Sequence, residues 1–199
     1  MMRFMFAALL WLIALETVGV TSAETPDELT VLTKQCKSGD ASGCFSLGLM
    51  YDVGKGVTQD SVKAVEFYRK ACDGQDASGC ANLGTMYNNG TGVTQDDFKA
   101  VELYRKACDG QYAAGYFQLG LMYDKGKGVT QDYFKAVELF QKACDGQDAS
   151  GCIGLGVEYA VGHGVRQSVE DALTFYGKAC DLKDANGCKF YAELKAGKK

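Results

Sequence analysis

Residues 41–76 read ASGCFSLGLMYDVGKGVTQDSVKAVEFYRKACDGQD, and the chain says nearly the same thing three more times. Residues 77–112 read ASGCANLGTMYNNGTGVTQDDFKAVELYRKACDGQY, and residues 113–148 read AAGYFQLGLMYDKGKGVTQDYFKAVELFQKACDGQD. The fourth copy, ASGCIGLGVEYAVGHGVRQSVEDALTFYGKACDLKD at 149–184, is the most divergent. A fixed period of this length marks stacked supersecondary units, each burying an apolar face on its neighbours rather than in one closed core.

Each unit reads as two helices. Leu47, Gly48 and Tyr51 recur as Leu83, Gly84, Tyr87, then Leu119, Gly120, Tyr123, then Leu155, Gly156, Tyr159. At helical periodicity these residues share one face, and Cys44 falls on it too. A glycine inside a helix costs about 1 kcal/mol relative to Ala, so its return in every copy implies a close helix–helix approach. The second helix carries Ala64, Val65, Phe67, Tyr68 and Ala71 as its apolar face, with Lys63, Glu66 and Lys70 on a solvated back. Asp40, Asp76, Asp148 and Asp184 stand as N-caps before the first helices, and Asp60, Asp96 and Asp132 before the second. Gly54 and Gly56, with copies at 90/92, 126/128 and 162/164, end the first helix and turn the chain. They lack the spacing of a phosphate loop. Asn89-Gly90-Thr91 matches a glycosylation sequon, but within those same turn residues. The expected fold is an all-α solenoid of four 36-residue helix-turn-helix repeats at 41–76, 77–112, 113–148 and 149–184. A capping helix is expected at 24–40, and a capping helix with a basic tail at 185–199.

Composition narrows the class. Of 199 residues, 25 are Gly, 9 Cys and 1 Pro. Glycine is enriched but lacks the every-third-residue pattern of collagen. A hydrophobic fraction of 47% and a charged fraction of 23% describe a globular protein. A net charge of −4 argues against nucleic acid as a partner. Residues 1–23, MMRFMFAALLWLIALETVGVTSA, place Arg3 before an apolar run from Phe4 to Leu15 and small residues at the end. That is the layout of a secretory signal peptide with cleavage after Ala23, and the run is short for a membrane anchor. The mature chain is expected to be secreted, to the periplasm or beyond, as a monomer without a membrane span.

The cysteines then meet an oxidising environment. Cys36, Cys72, Cys108, Cys144 and Cys180 recur with the repeat, and Cys44, Cys80, Cys152 and Cys188 each follow eight residues after a partner. A short loop between antiparallel helices brings such a pair within disulfide reach. The expected bridges are Cys36–Cys44, Cys72–Cys80, Cys144–Cys152 and Cys180–Cys188. A metal site is the alternative, but zinc spacing is lacking and His163, on a turn tip, is the one histidine. No metal or cofactor is expected. Cys108 faces Tyr116 where its partner would be, which leaves a free thiol. It is either an intermolecular contact or a buried remnant of a lost bridge.

The pattern LGxxYxxGxGVxxDxxKAxxxYxKAC, carried here by Leu47-Gly48, Tyr51, Gly54, Gly56-Val57, Asp60, Lys63-Ala64, Tyr68 and Lys70-Ala71, resembles the Sel1-like repeat. The paired cysteines and the exported context are similar to the Helicobacter cysteine-rich proteins. The resemblance implies a TPR-like α/α solenoid, with each cysteine pair stapling adjoining helices. It also implies penicillin binding with weak β-lactamase activity, and secretion with host interaction.

The residues give that enzymatic implication no visible machinery. No Ser is followed by Lys three residues later, SDN is absent, and Lys37-Ser38-Gly39 lies in a linker rather than on a strand. Catalytic residues are therefore not assigned. Binding fits better on positions that vary while their neighbours repeat: Ser46, Leu49, Val53; Asn82, Thr85, Asn89; Gln118, Leu121, Lys125; Gly154, Val157, Val161. Solenoids vary ligand contacts on such a face. Ser46, Asn82, Thr85, Asn89, Gln118 and Lys125 are the expected contacts for a peptide, a host protein or a β-lactam-like cell-wall ligand.

Overall fold

A computed structural model describes residues 27–197 as ten helices with no strand among them. The proposed signal peptide lies outside these residues. A first helix, α1 (Glu28–Lys37), precedes four pairs: α2 (Ala41–Val53) with α3 (Ser61–Asp73), α4 (Ala77–Asn89) with α5 (Asp97–Asp109), α6 (Ala113–Lys125) with α7 (Tyr133–Asp145), and α8 (Ala149–Val161) with α9 (Val169–Asp181). The last helix, α10 (Ala185–Gly197), closes the array. None of the described helices is long and apolar enough to cross a membrane.

The helix-interior glycine of each repeat makes room for an aromatic ring. A Cβ on Gly48 would stand 2.5 Å from the Tyr68 ring, and Gly84, Gly120 and Gly156 face Tyr104, Phe140 and Tyr176 in the same way. Tyr68, Tyr104 and Phe140 are almost completely buried there. The missing Cβ lets the two helices of a repeat close on one ring.

Neighbouring repeats are joined by other means. The second glycine of each turn, Gly92, Gly128 and Gly164, adopts positive φ and lies against the backbone at residues 61, 97 and 133, the start of the preceding repeat's second helix. Arg69 donates to the Tyr87 hydroxyl at 3.1 Å, and Arg105 to that of Tyr123 at 3.2 Å, each across one repeat boundary. Consecutive first helices touch one another (α2–α4, α4–α6, α6–α8, α8–α10), whereas consecutive second helices do not pack to that extent. The first helices therefore form the tighter, concave layer and the second helices the convex one.

The caps read from the sequence form. Asp40 accepts from the Ser42 and Gly43 amides, and Asp76, Asp148 and Asp184 accept from Gly79, Gly151 and Gly187. Asp60, Asp96 and Asp132 cap α3, α5 and α7, and Ser168 caps α9. All four expected disulfides are present, with Cα–Cα distances of 4.4–4.6 Å. They tie the end of one helix to the start of the next: α1 to α2, α3 to α4, α7 to α8 and α9 to α10. Cys108 remains a buried free thiol. Burial, and then the nearby Asp109 carboxylate, push its pKa up to about 12. The Tyr116 hydroxyl donates to the Cys108 carbonyl at 2.9 Å, in the place of the missing bridge.

Candidate functional site

The concave layer presents the variable positions at graded depth. Ser46, Asn82, Thr85 and Gln118 are half-buried, while Asn89 and Lys125 are exposed. Two of them turn inward. The Thr85 hydroxyl bonds the Ala81 carbonyl at 3.1 Å and lies 3.2 Å from the Tyr104 hydroxyl, and the Asn82 side chain faces the Tyr68 hydroxyl. Burial raises the pKa of both phenols, and these partners oppose the rise. Thr85 thus braces one buried tyrosine and Asn82 lies beside another, a placement that their spacing alone does not reveal.

The variable face does open into a cavity, further along the array than those six residues. A space of about 470 Å³ lies between α6, α8 and α10, and none of the six lines it. Three other members of the same face do: Leu121, Gly154 and Val157. Phe117, Phe140, Ile153 and Phe190 supply most of the remaining apolar wall. Gly154 is what gives depth. Where the other copies carry Ser46, Asn82 and Gln118, it has no side chain, and an added Cβ would lie 3.0 Å from the Phe140 ring.

At the edge of this cavity the fourth repeat departs from the other three. Glu158 occupies the buried slot of Met50, Met86 and Met122, and is only 3% exposed. Its Oε2 is buried without a hydrogen-bond partner among the described residues. Burial, and then the Asp124 carboxylate, raise its pKa to about 7. Asp124, also lining the cavity, corresponds to Asp52, which accepts from the Tyr68 hydroxyl at 3.1 Å. Phe140 stands at the equivalent of Tyr68 and has no hydroxyl to offer.

The turn after α8 brings a third group. The backbone amides of Gly162 and His163 both bond the Glu158 carbonyl, which folds the turn back over the end of the helix. His163 Nδ1 lies 3.7 Å from Glu158 Oε2. Its ring stacks on Tyr133 of α7 with centroids 4.4 Å apart. One donor atom from each of Asp124, Glu158 and His163 lies within 4.8 Å of the other two. Reading His163 as a turn tip was right about the turn, but the spacing hid its neighbours. The clearest linear signal was a carboxylate where three copies have methionine, with a histidine five residues on where they have Lys or Thr.

Comparison with known proteins gives a consistent family. The model of the Sel1 repeat matches residues 41–76, 77–112, 113–148 and 149–184. Among solved structures, a protective antigen of uropathogenic Escherichia coli strains displaying an SLR fold is similar at 31% identity with a TM-score of 0.77. That match covers 85% of this chain, which spans only 37% of the antigen. A Sel1 repeat protein from Oxalobacter formigenes is 31% identical with a TM-score of 0.74, covering 81% of this chain and 67% of that one. Cysteine-rich protein B of Helicobacter pylori is 32% identical with a TM-score of 0.53, covering 68% of this chain and 98% of its own. No curated protein matches significantly.

Proposed function

The chain belongs to the Sel1 repeat family, and from that premise we infer that it is an extracytoplasmic interaction protein whose concave groove takes a peptide segment. The observation that carries this reading is the cavity between α6, α8 and α10. It is concave, walled mainly by aromatic and aliphatic side chains, and has a carboxylate pair at its edge. An apolar side chain of the peptide seats against Phe117, Phe140 and Phe190, where burial supplies affinity. The flanking peptide runs along the first helices past Gln118 and Lys125. Four disulfides support an oxidising compartment and hold the groove rigid, which limits the ordering cost of binding.

A random peptide library displayed on phage and selected on the disulfide-intact protein tests this. Selected peptides are expected to share a bulky apolar residue and to bind Val157→Lys roughly tenfold or more weakly. Glu102→Ala, on the convex layer, leaves their affinity unchanged. Peptides that bind Val157→Lys as well as the parent refute the placement. β-Lactam binding, implied by the resemblance to the Helicobacter cysteine-rich proteins, is the competing chemistry. Turnover of a chromogenic cephalosporin that falls with Val157→Lys would favour it over peptide capture.

A further inference from the structure

We propose that Asp124, Glu158 and His163 form a binding site for one divalent transition-metal ion, zinc foremost, at the edge of the concave cavity. Three independent departures from the repeat pattern converge on this spot. Methionine becomes Glu158, the Lys or Thr of residues 55, 91 and 127 becomes His163, and the tyrosine that would bond Asp124 becomes Phe140. The first change removes an apolar side chain from a buried slot, and the third removes the hydroxyl that satisfies the equivalent Asp52. Together they leave two carboxylates and an imidazole facing one another.

The burial of Glu158 points to a ligand. A carboxylate oxygen shielded from water and without a donor is costly, the more so if it carries charge. The His163 imidazole is too distant, at 3.7 Å, to hydrogen-bond it. A cation between them satisfies both groups and Asp124 as well.

The dimensions fit. The His163–Glu158 edge, at 3.7 Å, is of the size that two donors on one zinc ion span, each bond being about 2.0–2.2 Å. The three donor atoms lie at most 4.8 Å apart, and drawing them onto one ion falls to the half-buried Asp124 and exposed His163 side chains, since Glu158 is buried. One imidazole and two carboxylates suit zinc better than calcium or magnesium, which prefer oxygen alone. The outer parts of the site are also supported. Tyr133 holds the His163 ring by stacking, and Gln131 donates to the Tyr133 hydroxyl at 2.9 Å. Three protein ligands leave zinc an open position. Because Asp124 and Glu158 both line the cavity, that position faces the groove, where water or a carboxylate of a bound molecule can take it.

Zinc titration of the disulfide-intact protein, by calorimetry and by competition with a chromogenic chelator, tests the site without reference to any peptide. It is done in the Cys108→Ser background so that the free thiol contributes nothing. One zinc per chain is expected, with a rise in Tm. Glu158→Met and His163→Lys each restore a residue found in other repeats, so both variants should fold, which circular dichroism checks. Each is expected to weaken zinc binding roughly tenfold or more and to abolish the Tm rise. Glu102→Gln, remote on α5, leaves both unchanged. Absence of saturable binding at micromolar zinc, or binding that both variants retain, overturns the proposal.

Discussion

The α3–α4 junction carries a disulfide and a side-chain cap, whereas the α5–α6 junction, one repeat later, carries neither among the described residues. Cys72 is bonded to Cys80, and Asp76 caps α4. In the later junction Cys108 faces Tyr116, and Tyr112 replaces the capping Asp. The backbone nonetheless follows the same course. The left-handed turn residue is Gln75 at φ 67° in one and Gln111 at φ 57° in the other. The next amide bonds the same helical carbonyl, Asp76 to Ala71 at 2.9 Å and Tyr112 to Ala107 at 3.0 Å. Gly79 sits on Ala71 as Gly115 sits on Ala107. The junction geometry is therefore set by the turn and by glycine-on-alanine packing. The disulfide secures a shape that exists without it.

That comparison can be broken most directly by removing a staple. Replacing both Cys72 and Cys80 by Ser should cost about 2–3 kcal/mol in denaturant unfolding, the loop-closure value for so short a loop, while far-UV circular dichroism stays as in the parent. A loss of helix in the native state would show instead that the bridge dictates the geometry. The converse change, Tyr116→Cys, should let Cys108 close a fifth disulfide and leave no titratable thiol. The gain should be about 2 kcal/mol, reduced by the lost tyrosine contacts and its bond to the Cys108 carbonyl. A variant that keeps two free thiols would mean that the two junctions differ more than their backbones indicate. The smallest effect is expected from Tyr112→Asp, which restores the cap of α6 and should add about 1 kcal/mol to the unfolding free energy.

Much of the fold was legible because its determinants are local. Cysteine partners lie eight residues apart across one turn, caps lie at helix starts, and the recurrent Gly48 position announces a tight packing partner. The candidate site was less legible. Ser46, Asn82, Thr85, Asn89, Gln118 and Lys125 belong to a face that does vary, yet Asn82 and Thr85 turn to the buried tyrosines and the cavity opens beside Gly154. A missing side chain gives no positive signal in a sequence. Glu158 could have been singled out as a carboxylate in a methionine slot, but its burial depends on α6, α7 and the turn that follows it.

By itself the sequence determined the period, the helix pairs and the disulfide register, since each rests on contacts within one repeat or across one short turn. Only the tertiary structure decided which helix layer is concave, where the cavity lies, and that His163 meets Glu158 and Asp124. Those outcomes depend on how successive repeats rotate against one another. That rotation is set by contacts such as Gly164 on the backbone at residue 133, whose partners are remote in the chain.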